Sequence, residues 1–158
     1  MHKFTHINKE GNPKMVDVSG KKTTQRTAVA KARMFLGEEV LTYFKNGEFI
    51  TKKGPVFQTA IIAGIQAVKK TSEIIPMCHP LLIRGVDIDI QIIDEAYIEI
   101  FCTVKIEGKT GVEMEALTGA SAACLTIYDM CKSISHQMVI QELKLIEKTG
   151  GKSDIKID

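Results

Sequence analysis

The chain has 158 residues, of which 44% are hydrophobic and 25% charged, and its formal net charge is +2. These values are typical of one globular domain and exclude a disordered or collagen-like chain, so we expect a single domain over residues 1–158. A net charge this small also excludes a generally basic surface for nucleic acids. Any affinity for anions must therefore come from local clusters of lysines.

The cysteines are Cys78, Cys102, Cys124 and Cys131, and none of them forms a C-x-x-C pair. Because the sequence shows neither a secretion signal nor the spacing of a zinc-ligand set, we expect free thiols in a reducing cytoplasm. The apolar runs are shorter than a membrane span requires. The sequence therefore predicts a cytoplasmic protein that binds no metal through its cysteines.

The first part of the chain predicts a loop, a strand and a short helix. Residues 1–22 are polar and punctuated by glycine and proline, so we expect a largely extended segment, in which Met15–Ser19 could pair as an edge strand. Thr23–Leu36 contains good helix formers, yet its apolar residues alternate, and this period favours a strand. Glu38–Phe44 predicts a short helix that ends at Asn46-Gly47.

A second helix is predicted to begin at Pro55, because proline is well tolerated at the first helical position. Apolar residues repeat after it at helical spacing up to Val68. Two prolines then bracket the loop Met77–His79. Alternating residues in Val86–Ile92 and Ile98–Ile106 predict an antiparallel pair of strands with one wet face.

The last part of the chain predicts a turn at Gly108–Gly111, a long helix from about Val112 to about Ser135, a strand over Met138–Glu147 and a flexible tail over 149–158. The order strand, helix, strand, strand, helix, strand is typical of a ferredoxin-like α+β fold. We expect an antiparallel sheet with helices packed on one face. The opposite face, which carries Tyr97, would be wet or covered by a partner subunit.

Lys52 and Lys53 precede the second helix, whose free N–H groups could bind phosphate together with them. Solvated loop lysines are the commoner explanation of such a pair. His79 lies between Cys78 and Pro80, and a rigidly held imidazole can exchange a proton near neutral pH, although it could equally fill a loop corner. Cys78 is more readily explained as a packed thiol than as a nucleophile.

Acidic residues begin the long helix and a carboxylate–lysine pair ends it. Glu113 and Glu115 point about 200° apart around the axis, so one can cap the helix while the other faces a ligand. Asp129 and Lys132 are neighbours at i and i+3, either as a weak surface pair or as a lysine whose protonation the carboxylate controls. Glu115 and Lys132 lie roughly 25 Å apart along the helix. If both are functional, the site is shared between subunits or they have different roles.

Near the C-terminus, Lys148 and Lys152 flank a glycine-rich stretch that could close over an anion. A disordered basic tail is the alternative explanation, and composition favours it.

Several sequence words are similar to those of the molybdenum cofactor biosynthesis protein C family, the cyclic pyranopterin monophosphate synthases. The long word after Gly108 and the Tyr128–Lys132 word are highly specific. The matching words run along most of the chain: Thr5–Asn8, Met15–Val18, Lys53-Gly54, Ala63–Ala67, Cys78–Leu81, Gly108–Thr118, Leu125–Lys132 and Lys148–Ser153.

This resemblance implies a lyase that rearranges (8S)-3′,8-cyclo-7,8-dihydroguanosine 5′-triphosphate to cyclic pyranopterin monophosphate and releases diphosphate. It implies a homohexamer, built as a trimer of dimers, with active sites at subunit interfaces. No resident cofactor is expected, although magnesium can accompany the triphosphate. Neither a nucleic acid nor a membrane is expected as a partner.

The resemblance also implies roles for individual residues. Asp129 would be the catalytic acid/base, and Lys53 and Lys132 the catalytic lysines. The residues implied to bind substrate are Met77, Cys78, His79, Met114 and Glu115, with Glu113, Lys148 and Lys152 as further pocket residues. Lysines suit a triphosphate, and a lysine with a tuned pKa suits the proton transfers of ring opening and closure.

Two other functions compete with this one. A ferredoxin-like domain can be a nucleotide-sensing regulatory module, because fold does not settle function. An RNA-binding domain of the same fold should show paired aromatic residues in a basic strand. Tyr97 and Phe101 are the only candidates for such a pair, and the basic pattern around them is missing.

Overall fold

The computed structural model describes residues 5–157. Residues 1–4 and 158, which belong to the predicted N-terminal segment and tail, lie outside the described residues. The elements in chain order are β1 (Thr24–Phe35), α1 (Glu38–Leu41), β2 (Ile50–Thr51), β3 (Gly54–Pro55), α2 (Val56–Lys69), α3 (Thr71–Ile74), β4 (Ile83–Ile92), β5 (Tyr97–Gly108), α4 (Glu113–Cys131), β6 (Val139–Thr149) and β7 (Ile155–Lys156).

The main sheet has the strand order β4-β5-β1-β6-β7, and each neighbouring pair is antiparallel. Strand β1 is therefore central although it comes first in the chain, and the first long helix, α2, follows it before the β4–β5 hairpin. This arrangement confirms the predicted ferredoxin-like α+β fold. It brings the ends of α4 and the loops beside them to opposite sides of the molecule.

The alternation in β1 sorts its side chains between two faces of the sheet. Ala28, Ala30, Ala32 and Met34 are fully buried toward the helices, which confirms the strand predicted over this segment. Small alanines in the central strand leave room for α2 and α4 to lie close to the sheet. The core is thus built from one face of β1 and β5 and the facing sides of the two long helices.

Helices α2 and α4 approach each other closely where glycines face one another. A Cβ on Gly64 would lie 2.9 Å from the carbonyl oxygen of Gly119 and would overlap the side chain of Ile88. A Cβ on Gly119 would lie 2.6 Å from Val68 Cγ2 and 2.7 Å from the Cys102 sulfur. This close packing holds α4, the helix that carries most of the predicted site, against α2.

The opposite face of the sheet is half-buried and mixed in chemistry. Lys31 Nζ lies 2.6 Å from Glu99 Oε1, and the Arg33 guanidinium lies 4.5 Å from the ring centre of Tyr97. Phe35 packs edge-on against Tyr97 with ring centres 5.2 Å apart. Charged and aromatic side chains therefore cover this face in a single chain.

Several bounds differ from the sequence prediction. Helix α2 begins at Val56, because Pro55 still pairs with Ile50. Helix α1 ends at Leu41 rather than at Phe44, and α4 ends at Cys131 rather than near Ser135. Met15–Ser19 forms no strand and lies in a loop. The tail, expected to be flexible, contains paired residues, because Thr149 belongs to β6 and Ile155–Lys156 forms β7 beside it.

Glycine explains how the tail turns back onto the sheet. Gly150 has φ +81°, and a Cβ there would overlap the backbone carbonyl of Gln25. The Gly150 N–H donates to Asp154 Oδ1 at 2.9 Å, and its carbonyl accepts from Thr24 Oγ1 at 2.7 Å. The composition that suggested disorder is the composition that a tight turn against β1 requires.

Candidate active site

A cavity of about 260 Å³ lies beside the first turn of α4. The loop Met77–His79 forms one wall, the first turn of α4 a second, and the N-terminal segment a third. Every predicted residue of these two stretches lines it: Met77, Cys78, His79, Glu113, Met114 and Glu115. The structure thus brings together two segments that were predicted to bind substrate and are more than thirty positions apart in the sequence.

Glu115 is the buried carboxyl group of this cavity, with 4% of its surface exposed. Burial raises the pKa of Glu115, and the neighbouring charge of Glu113 adds to this effect. Burial, and then the charge of Glu115, also raise the pKa of Cys78. The Cys78 thiol is therefore disfavoured as a thiolate, which supports a packing role at the cavity wall over a nucleophilic one.

His79 ties the N-terminal segment to the cavity. Its Nε2–H donates to the carbonyl oxygen of Val16 at 2.8 Å. Lys109 Nζ donates to the carbonyl oxygen of Ser19 at 2.7 Å and anchors the next part of the same segment. The segment predicted as loop therefore has a defined place, where Thr5 and Val16 complete the wall of the cavity.

A second cavity of about 190 Å³ adjoins the first, and both are lined by Lys21, Thr110, Gly111 and Glu113. Its lining is strongly cationic. The cations are Lys21, Arg26, Lys109, Lys148 and Lys152. Because these side chains face one small space from separate parts of the chain, the second cavity is suited to a polyanion such as a phosphate chain.

Among residues 5–157, Glu113 is the one carboxylate that lines this second cavity. Lys148 Nζ lies 3.0 Å from Glu113 Oε1. A Cβ at Gly111 would overlap the Glu113 carboxylate, so glycine there leaves the space that this carboxylate occupies. The pair lowers the net positive charge of the cavity without cancelling it, because four further cations line the same space.

Sequence reasoning missed three cations of this cavity: Lys21, Arg26 and Lys109. Arg26 Nε is buried without a hydrogen-bond partner among residues 5–157, while its Nη2 donates to the Lys109 carbonyl at 3.4 Å. The position of Lys109 in a glycine-rich turn before a helix was a usable signal. No local pattern marks Lys21 or Arg26, because only the fold brings them to α4.

The three predicted catalytic residues form a cluster at the other end of α4. Lys53 Nζ lies 2.6 Å from Asp129 Oδ2, and Lys132 Nζ lies 2.7 Å from Asp129 Oδ1. Hydrogen bonds from Lys132 and then from Lys53 lower the pKa of Asp129 to about 2. Asp129 in turn raises the pKa of Lys132. The cluster is therefore one carboxylate shared by two ammonium groups, each side chain about half exposed.

The structure does not support the less common explanation of Lys52 and Lys53, a phosphate site at the start of α2. The first N–H groups of that helix already have an acceptor, because Phe57 N donates to Glu48 Oε1 at 2.9 Å and Gln58 N donates to Glu48 Oε2 at 3.1 Å. Lys53 instead turns toward Asp129, and Lys52 is an exposed loop lysine.

The cavities and the lysine cluster lie at opposite ends of one helix. Helix α4 has 19 residues, so its ends are about 28 Å apart at 1.5 Å per residue. One chain therefore holds the residues predicted to bind substrate and those predicted to be catalytic in two separate places. Among residues 5–157, no group of three or more His, Cys, Asp or Glu side chains is placed to hold a metal ion. In the same range, no helix is long and apolar enough to cross a bilayer.

The MoaC family model matches residues 15–151. This range includes the first turn of α4, which lines both cavities, and the cluster of Lys53, Asp129 and Lys132. The chain belongs to the MoaC family. This confirms the resemblance carried by the sequence words, and the matched range covers every residue that was predicted to be catalytic.

Relatives of this MoaC chain include one protein of similar length and two longer ones. It is 53% identical over 156 residues to a cyclic pyranopterin monophosphate synthase of Lysinibacillus sphaericus, covering 97% of this chain and 96% of that protein. It is 53% identical over 156 residues to a molybdenum cofactor biosynthesis bifunctional protein of Synechocystis sp., covering 96% of this chain but 45% of that protein. It is also 48% identical over 169 residues to molybdenum cofactor biosynthesis protein 1 of Dictyostelium discoideum, of which it spans 27%.

Proposed function

We propose that this MoaC chain is a cyclic pyranopterin monophosphate synthase of molybdenum cofactor biosynthesis. It converts (8S)-3′,8-cyclo-7,8-dihydroguanosine 5′-triphosphate to cyclic pyranopterin monophosphate and releases diphosphate. The observation that carries the proposal is the pair of adjoining cavities at the start of α4, one of them lined by cations. Membership of the MoaC family and the similarity to the Lysinibacillus cyclic pyranopterin monophosphate synthase support the proposal.

The two cavities suit the two parts of this substrate. The cationic cavity takes the triphosphate, where each lysine or arginine contact contributes about 1.5–3 kcal/mol. The adjoining cavity, with Glu115 and His79 in its wall, takes the purine-derived ring system, because carboxyl and imidazole groups can bind the ring nitrogens and exocyclic amino group. The shared lining residues lie where the ribose-derived carbons join the two parts.

Diphosphate release follows from the position of the cations. A hydroxyl of the ribose-derived chain attacks the α-phosphorus, the bond from that phosphorus to the bridging oxygen breaks, and diphosphate leaves with the electron pair. Positive groups around the β- and γ-phosphates stabilise the charge that develops on the leaving group. Lys148 and Lys152, on the strand and turn beside Arg26, are placed for this task.

The ring rearrangement needs proton transfers, which we assign to the cluster of Lys53, Asp129 and Lys132. Because both lysines share one carboxylate, a proton lost by one ammonium group leaves the other paired. Asp129 orients Lys132 and keeps it protonated until Lys132 donates a proton to a substrate atom. Lys132→Ala should therefore lose ring rearrangement, and unchanged turnover in that variant would contradict the role.

The cavities and the lysine cluster act on one substrate only if they come from different subunits, because about 28 Å of helix separates them within a chain. We propose a homo-oligomer, a hexamer built as a trimer of dimers, with each site completed by the lysine cluster of a neighbour. Lys132→Ala and Lys148→Met, each strongly impaired alone at low substrate concentration, should regain activity there when they are unfolded and refolded together. A hybrid pair then contains one site with both native lysines. Absence of any recovery in mixed oligomers would contradict a shared site.

We also propose that the enzyme has no resident cofactor, acts in the cytoplasm, and meets magnesium only as a companion of the triphosphate. Turnover should then survive dialysis against a chelator and respond to magnesium only through the charge of the substrate. Loss of turnover after chelation that zinc or another transition metal restores would contradict this.

The direct test is incubation of the purified chain with the cyclic triphosphate, followed by measurement of diphosphate and of the pterin product. A nucleotide-sensing module would bind the substrate without releasing diphosphate. Stoichiometric release of diphosphate with formation of the cyclic phosphate supports the synthase, and binding without release supports the sensor.

A further inference from the structure

Glu48 makes a set of contacts that the proposed reaction does not yet use. It follows a tight turn, with Asn46 at φ 53° and Gly47 at φ 78°, and it pairs with Lys45 across that turn. Its side chain is half-buried and points at backbone N–H groups. Oε1 accepts from Phe49 N at 2.8 Å and from Phe57 N, and Oε2 accepts from Gln58 N.

Helix α2 needs this carboxylate because it begins without a cap of its own. The N-cap residue is Pro55, whose side chain has no hydrogen-bonding atom. The first N–H groups of a helix must find an acceptor outside it, and a negative charge there is favourable. Glu48, seven residues before Pro55 in the chain, supplies both the acceptor oxygens and the negative charge.

The chain between Glu48 and α2 forms a small hairpin with Lys53 near its tip. Strands β2 and β3 pair, and Val56 N donates to the Phe49 carbonyl at 2.9 Å. At the tip, Thr51 Oγ1 donates to the Gly54 carbonyl at 3.1 Å and accepts from Lys53 N at 3.0 Å. Glu48 contacts both feet of this hairpin, since Phe49 begins it and Phe57 follows its end.

We propose that Glu48 is a positioning residue, whose carboxylate clamps the two feet of the β2–β3 hairpin and so holds Lys53 against Asp129. The catalytic consequence rests on the proposed function, in which Lys53 transfers protons. The geometric consequence does not, because the Lys53–Asp129 contact exists without substrate.

Glu48 lies close to the end of α4 that carries the cluster. Burial, and then the charge of Glu48, raise the pKa of Cys131 to about 11, and Cys131 is the last residue of α4, two positions after Asp129. The carboxylate therefore fixes the hairpin relative to α2 at the point where α2 and the end of α4 meet the Lys53 loop.

A cluster of aromatic side chains under the hairpin should preserve the fold of variants in which the Glu48 carboxylate is removed. Phe44 packs against Phe57 with ring centres 4.7 Å apart and against Phe49 with ring centres 5.6 Å apart. These contacts hold the hairpin to the core without fixing the direction of its tip. We therefore expect Glu48 variants to fold, with a lower melting temperature from the lost cap.

The kinetic test uses Glu48→Ala and Glu48→Gln in the full-length oligomer, each with and without Lys53→Ala. Glu48→Ala should lower kcat by roughly tenfold to a hundredfold, as expected for a misplaced catalytic group, with little change in KM. Glu48→Gln keeps one oxygen for Phe49 and Phe57, so its loss should be smaller. In the Lys53→Ala background, neither change should lower kcat further. Glu73→Gln controls for the loss of one negative charge, because Glu73 is exposed and its Oε2 lies 3.8 Å from Lys70 Nζ.

A purely structural role for Glu48 would lower activity equally with or without Lys53, and that result would overturn the proposal. So would a wild-type kcat in Glu48→Ala. A crystal structure of Glu48→Ala gives a readout that needs no turnover: Lys53 Nζ should lie beyond about 4 Å from the Asp129 carboxylate, outside ion-pair distance. An unchanged contact there overturns the proposal, whereas failure of the wild type to release diphosphate refutes only the proposed function.

Discussion

Lys148→Met tests whether the cationic cavity binds phosphate, because it removes one charge and keeps a side chain of similar length. Lys148 Nζ lies 3.0 Å from Glu113 Oε1, with side chains 27% and 30% exposed. A charge-assisted contact to phosphate contributes about 1.5–3 kcal/mol, so KM should rise roughly 10- to 150-fold. Loss of the partly exposed pair with Glu113 should cost only about 0–1 kcal/mol of folding free energy, or less than about 4 °C in Tm.

The assay is steady-state diphosphate release at fixed ionic strength, with Tm measured on the same samples. Lys144→Met is the matched control, because Lys144 lies on the same strand, pairs with Glu142 at 3.2 Å and lies outside both cavities. Its KM should match that of the wild type. The reasoning would be refuted if Lys148→Met left KM within about twofold of the wild type, or if both variants raised KM equally.

Further predictions concern packing, proton transfer and thiol access. Gly64→Ala should lower the free energy of unfolding by about 1–2 kcal/mol, because overpacking outweighs the gain in helix propensity. Gly20→Ala, where the new Cβ meets open space, should leave the free energy of unfolding unchanged. Urea titration of both variants at equal protein concentration measures the difference. Asp129→Asn should lower the pKa of Lys132, because the carboxylate that raises it is removed. If Lys132 acts when protonated, the basic limb of the plot of kcat against pH should move to lower pH. A basic limb that stays in place would contradict this role. Iodoacetamide should label only Cys78, slowly, because the other cysteines are buried; mass spectrometry of the labelled protein would reveal any other site.

The sequence alone was sufficient for most of the fold. Period-two alternation in Thr24–Phe35 outweighed its good helix formers, because burial of alternate side chains on one sheet face contributes more than helix propensity does. The order of elements then restricted the topology to the ferredoxin-like arrangement. The sequence words shared with the MoaC family pointed to the Met77–His79 loop, the first turn of α4, and Lys53, Asp129 and Lys132 as site residues.

The composition of the tail did not reveal its pairing with the sheet, because composition carries no information on what packs against a segment. Gly150-Gly151 has the composition of a linker, yet its turn places β7 beside β6 and Lys152 in the cationic cavity. Such a contact depends on the position of β1, more than a hundred residues earlier, which no local pattern records.

What the sequence determined by itself was therefore the set of elements, the faces they bury and the residue types available for chemistry. The tertiary structure decided which of those residues share a space. It joined Lys21 and Arg26 to the start of α4, gave α2 a cap from Glu48, and placed Lys53 beside Asp129. Local spacing fixes only short-range neighbours, whereas these contacts arise because the packing of two helices on one open sheet brings distant loops together.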